Sequence, residues 1–348
     1  MARRIIVDDT SDRIIYSKSY DWWDVYITQY NTANWGPAYK DTVRVTEKST
    51  FLWFAFSGTS IIVNGYNDVS KSSDWKCTVD GVPIDGKSKM PFENGLTFCQ
   101  QPNLPDGPHN LTVEVTSKDS LRFWFDHIQY TPSPNAILED RAIIYENDDQ
   151  DLKYSSGWYS ANGTTKTNQT GATVELEFHG TAISGFSTLP AEFFESNSMP
   201  GTYSIDGEKP KSFDQSGHFG VLTPSYNQRF FQSPALRPGD HKLTVTYHGT
   251  TAQNPLFLDT LIVENYSTAY AAAAAAKASK IKQGEIAGGV VGGVILLLLL
   301  WFCRKAIWRG ICFICRPCAC LCNCATNDQE SVDSDTKLPP YHQQAARV

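Results

Sequence analysis

The sequence predicts an all-β ectodomain of two tandem antiparallel jelly-roll β-sandwiches, followed by one transmembrane α-helix and a disordered tail. Three observations carry that expectation. The first 266 residues repeat themselves once, strand-like alternation runs through both copies, and one eighteen-residue stretch, Ile286 to Cys303, carries no charge.

The repeat is read from matching stretches in the same order. "IIVDDTSDRIIYS" (Ile5 to Ser17) returns as "IIYENDDQDLKYS" (Ile143 to Ser155), and "FSGTSI" (Phe56 to Ile61) as "FHGTAI" (Phe178 to Ile183). "KCTVDG", "DGPHNLTVEV" and "FDHIQY" return as "TYSIDG", "PGDHKLTVTY" and "LDTLIV". The offsets vary, so the copies differ by loop insertions, and they delimit domains at 3–131 and 140–266. Within each copy, "TVELEFHG" and "KLTVTYHG" alternate with period two. Asp80-Gly81 and Asp206-Gly207 suit tight hairpin turns. Many short strands punctuated by Gly, Pro, Asn and Asp over about 125 residues are the pattern of a jelly roll.

Residues 267–285 include an alanine run and read as a helical stalk. The apolar stretch 286–303, at about 1.5 Å per residue, reaches roughly 27 Å as a helix, the thickness of a bilayer core. Flanking charges nearly tie, with Lys277, Lys280 and Lys282 before it against Arg304, Lys305, Arg309 and Arg316 after. Orientation is therefore taken from two other features. The acceptor sequons Asn110, Asn162, Asn168 and Asn265 all precede the span, while Cys303, Cys312, Cys315, Cys318, Cys320, Cys322 and Cys324 crowd at its end and just behind it. Residues 1–285 are thus expected outside and 304–348 in the cytosol, in the plasma membrane or a secretory-pathway membrane. The tail cysteines lack the interval that zinc knuckles need, and cytosolic disulfides are reduced, so thiols beside basic residues and Trp301, Trp308 and Phe313 are read as palmitoylation sites. The opening "MARRIIVDDT" lacks the apolar run of a secretory signal, which implies that the span acts as a late signal anchor or that an upstream exon is missing.

The net charge is −7 and basic residues do not cluster before residue 270, which excludes a phosphate-tracking nucleic-acid surface. No Gly-x-Ser-x-Gly elbow, His-Glu-x-x-His, Walker loop or dinucleotide fingerprint occurs, so no enzyme is expected. A carboxylate pair for glycoside hydrolysis needs no local motif, and a hydrolase stays a lesser alternative. His109 and His241 occupy equivalent places before a strand and read as turn caps. The stretch "YDWWDVYITQYNTANWGPAY", taken as a loop, carries Trp22, Trp23, Tyr26, Tyr30, Trp35 and Tyr39 among acids and amides. Such rings stack on sugar C–H faces while their neighbours bond hydroxyls, or they fill a sandwich core. Only Cys77 and Cys99 precede the span; their repeat equivalents are Tyr203 and Phe231. A contact between the two positions would survive as a disulfide in one copy and an aromatic pair in the other, the alternative being two reduced thiols.

The order of "DDT…IIYS", "FSGTSI", "GPHNLTVEV" and "FDHIQY", then "IAGGVVGGVILLLLL" and a short tail, resembles a group of uncharacterised fungal single-span surface proteins. Their ectodomains are similar to galactose-binding-like jelly rolls and carbohydrate-binding modules. In jelly rolls of this type the first and last strands often lie together, which would bring Asp8 and Asp9 to Asp126, and Glu146 to Asp259. That resemblance implies a structural calcium ion at Asp8, Asp9 and Asp126, with no other cofactor; the alternative is that Asp126 and Asp259 bond backbone donors.

The expected function is therefore recognition of extracellular carbohydrate, such as cell wall, by a single-pass surface protein. The alternative is a structural or adhesive receptor for a cell-surface protein. Gly288 and Gly292, with Gly289 and Gly293, form small-x-x-x-small pairs suited to homodimerisation of the span. Leu338, Pro339, Pro340 and Tyr341 form a Leu-Pro-x-Tyr ligand for a WW-domain ubiquitin ligase.

Overall fold

The computed structural model describes residues 3–27, 37–67, 73–85, 93–119, 121–161, 164–189, 198–215 and 225–266. The stalk, the apolar stretch, the cysteine cluster and the tail motif lie outside the described residues. Among the described residues no helix is long and apolar enough to cross a membrane. The regular elements there are strands and two three-residue 3-10 turns, as the period-two reading requires.

Each repeat folds as a sandwich of antiparallel sheets. In the first, the 18-residue strand Thr50–Asn67 serves both layers. Its early half pairs with Ile14–Tyr16 and Gly107–Thr116, and its later half with Phe123–Pro132 and Glu93–Gln101. Gly58 sits at the crossover, where an added Cβ would run into the Thr131 carbonyl oxygen. The second repeat makes the same passage with two strands, Thr173–Gly180 and Ala182–Leu189, and its matching Gly180 is crowded by the Glu264 carbonyl. Glycine stands there in both copies because a backbone passes where a side chain would be.

The hairpin signals hold. Asp80 and Gly81 both have positive φ (52° and 79°), as do Asp206 and Gly207 (53° and 71°), the left-handed pair that a type I′ turn demands. Val79 pairs with Val82 across the first turn. Alternation also holds: Thr173–Gly180 buries every second side chain. Two separate cores result, one around Leu52, Phe54, Leu111 and Phe125, the other around Leu176, Ile183, Leu243 and Tyr247.

The copies join edge to edge, within one compact unit of Met1–Ala275. Arg4–Asp8 pairs antiparallel with Arg141–Glu146, its own repeat equivalent, so the inner sheets fuse. Across the fused sheet the strands run Ser225–Gln232, Ala182–Leu189, Thr260–Asn265, Arg141–Glu146, Arg4–Asp8, Phe123–Pro132, Thr50–Asn67 and Glu93–Gln101. Because strand side chains alternate, Ile5 and Ile143 enter the two cores while Ile6, Ala142, Ile144 and Ile262 gather in a small apolar cluster of their own with Tyr39 and Phe186.

Cys77 and Cys99 form a disulfide, with Cα atoms 6.3 Å apart, within the span such a bridge allows. At the equivalent place in the second copy Tyr203 and Phe231 stack, ring centroids 4.6 Å apart.

Candidate functional site at the domain junction

The apolar cluster on the fused sheet forms part of the wall of a cavity of ≈ 270 Å³ to which both repeats contribute. The first repeat supplies Arg4, Ile6, Tyr39, Asn64, Thr97, Asp126, His127 and Gln129; the second supplies Ile144, Glu146, Phe186, Asn227, Asp259, Thr260 and Ile262. Repeat-equivalent positions here differ in chemistry. Asn64, His127 and Gln129 of the first copy correspond to Phe186, Thr260 and Ile262 of the second. At these positions the first copy brings amide and imidazole groups where the second brings an aromatic ring, a hydroxyl and a branched aliphatic, while Glu146, Asn227 and Asp259 add polar groups from the second copy.

The first and last strands of each copy do lie together: Asp8 is opposite His127, and Glu146 opposite Thr260. Asp126 is 1% exposed, and its Oδ1 accepts the Tyr39 backbone N–H at 3.0 Å. It thus bonds a backbone donor, and the same bond fixes Tyr39 against the cavity. Asp259 instead accepts the Thr188 hydroxyl at 3.0 Å, and burial raises its pKa, with Glu146 adding to the shift. Glu146 pairs with Arg4 across the junction.

His127 and Asn64 each carry a buried lining nitrogen without a hydrogen-bond partner. Gln129 Nε2 lies 3.0 Å from His127 Nε2, and donation there places the ring proton on Nδ1. That nitrogen is 3.1 Å from Asp126 Oδ2 without the alignment of a hydrogen bond. Asn64 is 5% exposed; Thr97 Oγ1 donates to its Oδ1 at 3.4 Å, while its Nδ2 has no partner. A buried donor without an acceptor is destabilising by about 1–3 kcal/mol, so two of them in one cavity mark a place where a polar ligand fits.

Tyr39 reaches this position on a segment that crosses onto the second repeat. Lys40 Nζ lies 3.4 Å from Glu264 Oε1 and donates to the Tyr266 hydroxyl at 3.0 Å, and Arg229 Nη2 donates to the Asp41 carboxylate at 3.3 Å. Lys40 and Asp41 both hold positive φ (54° and 63°), a strained pairing for residues with side chains.

Of the six aromatic residues expected to bind ligand, Tyr39 lines the cavity. Trp22 does not: it is 6% exposed and packs in the first core with Tyr16 and Phe123, centroids 4.9 and 6.3 Å away. The expected loop is in fact a strand, Trp22–Tyr26, paired with Thr42–Thr46, which turns Trp22 inward and leaves Trp23 and Tyr26 at 39% and 64% exposure. Tyr30 and Trp35 lie outside the described residues.

Burial raises the pKa of Asp8 and Asp9 and the neighbouring Asp126 adds to both shifts, yet no group of three or more His, Cys, Asp or Glu among the described residues is arranged to hold a metal ion. Hydrogen bonds engage the trio differently. Asp8 Oδ2 accepts from the Thr10 hydroxyl and backbone, and Asp9 Oδ1 accepts the Thr42 hydroxyl at 2.8 Å. Burial first, then Asp8 and Asp126, push the Asp9 carboxyl up to about 9, well above the usual carboxylate range. The second copy has Asn147, a neutral isostere, in that place. Asn110 and Asn168 are exposed, Asn265 is half-buried and donates to the Leu138 carbonyl, and Asn162 lies outside the described residues.

Sequence reasoning missed Arg4, Asn64, His127 and Phe186 as lining residues, while Glu146, expected near Asp259, lines the cavity with it. The available signal was chemical divergence between repeat-equivalent residues on strands nearest the repeat's two-fold relationship.

No family model matches the chain. Among curated proteins it is 24% identical over 242 residues to an A type blood alpha-D-galactosamine galactosaminidase of Flavonifractor plautii. That match covers 68% of this chain, which spans 20% of that protein's length. Among solved structures it is similar to the N-terminal CBM22 tandem domain from Paenibacillus barcinonensis (11% identity, 76% and 98% of the two chains, TM-score 0.27). It is also similar to an exo-beta-1,3-galactanase from Phanerochaete chrysosporium with galactose (13%, 75% and 68%, TM-score 0.25).

Proposed function

We propose that the protein binds carbohydrate in the cavity between its two sandwiches. The observation that carries this reading is the pair of unsatisfied buried donors, Asn64 Nδ2 and His127 Nδ1, in a cavity lined also by Phe186 and Tyr39. A pyranose matches that arrangement: hydroxyls satisfy the donors while a C–H face rests on a ring. The curated relative, named for a galactosamine-containing substrate, is consistent with it. Binding without catalysis is the proposed activity, because Asp126, Glu146 and Asp259 are each already held by a protein donor and serve to orient hydroxyls.

The proposed setting is a single-pass surface protein with both sandwiches outside, supported by the uncharged stretch 286–303 and the positions of the sequons and cysteines. Palmitoylation of the cysteine cluster, self-association through Gly288 and Gly292, and a WW-domain ligase at Tyr341 belong to the same proposal. The test is titration of the detergent-solubilised full chain with a panel of oligosaccharides, alongside Asn64→Ala and Phe186→Ala. Saturable binding that both substitutions weaken supports the site; binding indifferent to both overturns it.

A further inference from the structure

The cavity's charge is not that of a neutral-sugar site. Three carboxylates line it, from Asp126, Glu146 and Asp259. Arg4 is the permanent cation among the lining residues, and it is already paired with Glu146. The His127 ring sits between Gln129 Nε2, 3.0 Å from its Nε2, and Asp126 Oδ2, 3.1 Å from its Nδ1. Asp126 and Asp259, equivalent residues of the two repeats, therefore face one cavity whose permanent cation is already paired with Glu146. Both are embedded: Asp126 is buried and Asp259 half-buried, where attraction to an incoming cation is screened less than at a surface. Among the described residues no group of three or more His, Cys, Asp or Glu is arranged to hold a metal ion. The remaining lining, Tyr39, Phe186 and the unsatisfied Asn64 amide, suits an organic molecule with hydroxyls.

Resting on the carbohydrate reading, we propose that the cavity selects an amino sugar with a free ammonium group over its N-acetylated form, with Asp259 and Asp126 as the specificity-determining residues. Acetylation removes the charge and adds a methyl group, so the two sugar forms separate charge recognition from recognition of the hydroxyl pattern. Uronic sugars would meet both carboxylates with a like charge and be rejected.

The experiment titrates the detergent-solubilised full chain with the tetrasaccharide of glucosamine and with that of N-acetylglucosamine, at physiological salt. We expect the free amine to bind about tenfold tighter, equivalent to about 1.4 kcal/mol. Asp259→Asn should bring the ratio to near one, whereas Glu114→Gln, which removes an exposed carboxylate on the outer sheet of the first sandwich, should leave it intact. That pair separates selection in the cavity from general attraction of a cationic sugar to an acidic protein. Equal or tighter binding of the acetylated sugar overturns the proposal, as does a preference that Glu114→Gln lowers as much as Asp259→Asn. If sugars bind, need Asn64, and show no preference for the amine, the charge inference fails while the carbohydrate site stands. If no sugar binds, both fall.

Discussion

Ile5 lies directly opposite Ile143 in the antiparallel pairing of Arg4–Asp8 with Arg141–Glu146, and Ile143 is the residue that the repeat places in register with Ile5. A residue paired antiparallel with its own equivalent sits on a two-fold relationship, so the sandwiches meet as the halves of a symmetric dimer would. Arg4 opposite Ile144 and Ile6 opposite Ala142 repeat the relationship on either side.

Coupling of the two domains follows from that pairing. Ile5 and Ile143 are buried in different cores on adjacent strands of one sheet. Ile143→Ala should destabilise by about 2–5 kcal/mol, and urea unfolding should stay one transition for both repeats. Two separated transitions in the variant would show that the fused sheet does not transmit stability.

Asp9 gives a prediction about pH. Its carboxyl is raised by burial, so the folded state keeps a proton that the unfolded chain releases above the ordinary carboxylate range. Stability should therefore decline between about pH 4 and pH 9. Asp9→Asn, which copies the second repeat, should flatten that decline and be at least as stable as wild type near pH 8. A steeper decline in the variant would mean that the ionised carboxylate stabilises the fold.

His109 and His241 give a second pH effect. His109 Nδ1 is 2.6 Å from Asp80 Oδ2 and Nε2 is 2.8 Å from the Pro105 carbonyl; His241 repeats this with Asp206 (2.7 Å) and Arg237 (2.8 Å). Both nitrogens face acceptors, which only the imidazolium satisfies. Burial opposes that charge, but the hydrogen bonds outweigh it and raise both pKa values. The stabilisation is complete below the ordinary histidine pKa and is lost as pH rises through the raised values. NMR titration should show two rings titrating later than free histidine, each returning toward the ordinary value in Asp80→Asn or Asp206→Asn.

Reducing the Cys77–Cys99 bridge should lower stability by about 2–4 kcal/mol, visible as a shift in denaturation midpoint with reductant. Cys77→Ala should match the reduced protein, and reductant should have no further effect on it.

Trp22 and Tyr39 should separate in mutagenesis. Trp22→Ala empties a core position and should destabilise by about 3–5 kcal/mol. Tyr39→Ala should weaken sugar binding with a smaller effect on melting, measured by calorimetry on both variants. Equal loss of stability in the two would make Tyr39 a structural ring.

The sequence by itself determined the two-fold repetition, the strands, the Asp-Gly turns and the exchange of Cys77 and Cys99 for Tyr203 and Phe231. Each of these is a local pattern, or a pattern compared with its own copy, and neither needs a contact partner to be named. The resemblance to galactose-binding-like jelly rolls, not the residue pattern, implied that Asp8 and Asp9 lie beside Asp126, because first and last strands pair in such sandwiches. Only the tertiary structure decided which aromatic residues are core. Trp22 and Trp23 are neighbours in sequence, and the strand's alternation sends one inward and the other out. The fusion of Arg4–Asp8 with Arg141–Glu146 also needed the fold, because either edge could have been capped by a loop as well as by its twin. From that fusion comes the cavity, whose residues Asn64, Asp126 and Phe186 are separated along the chain and meet only because two sheets become one.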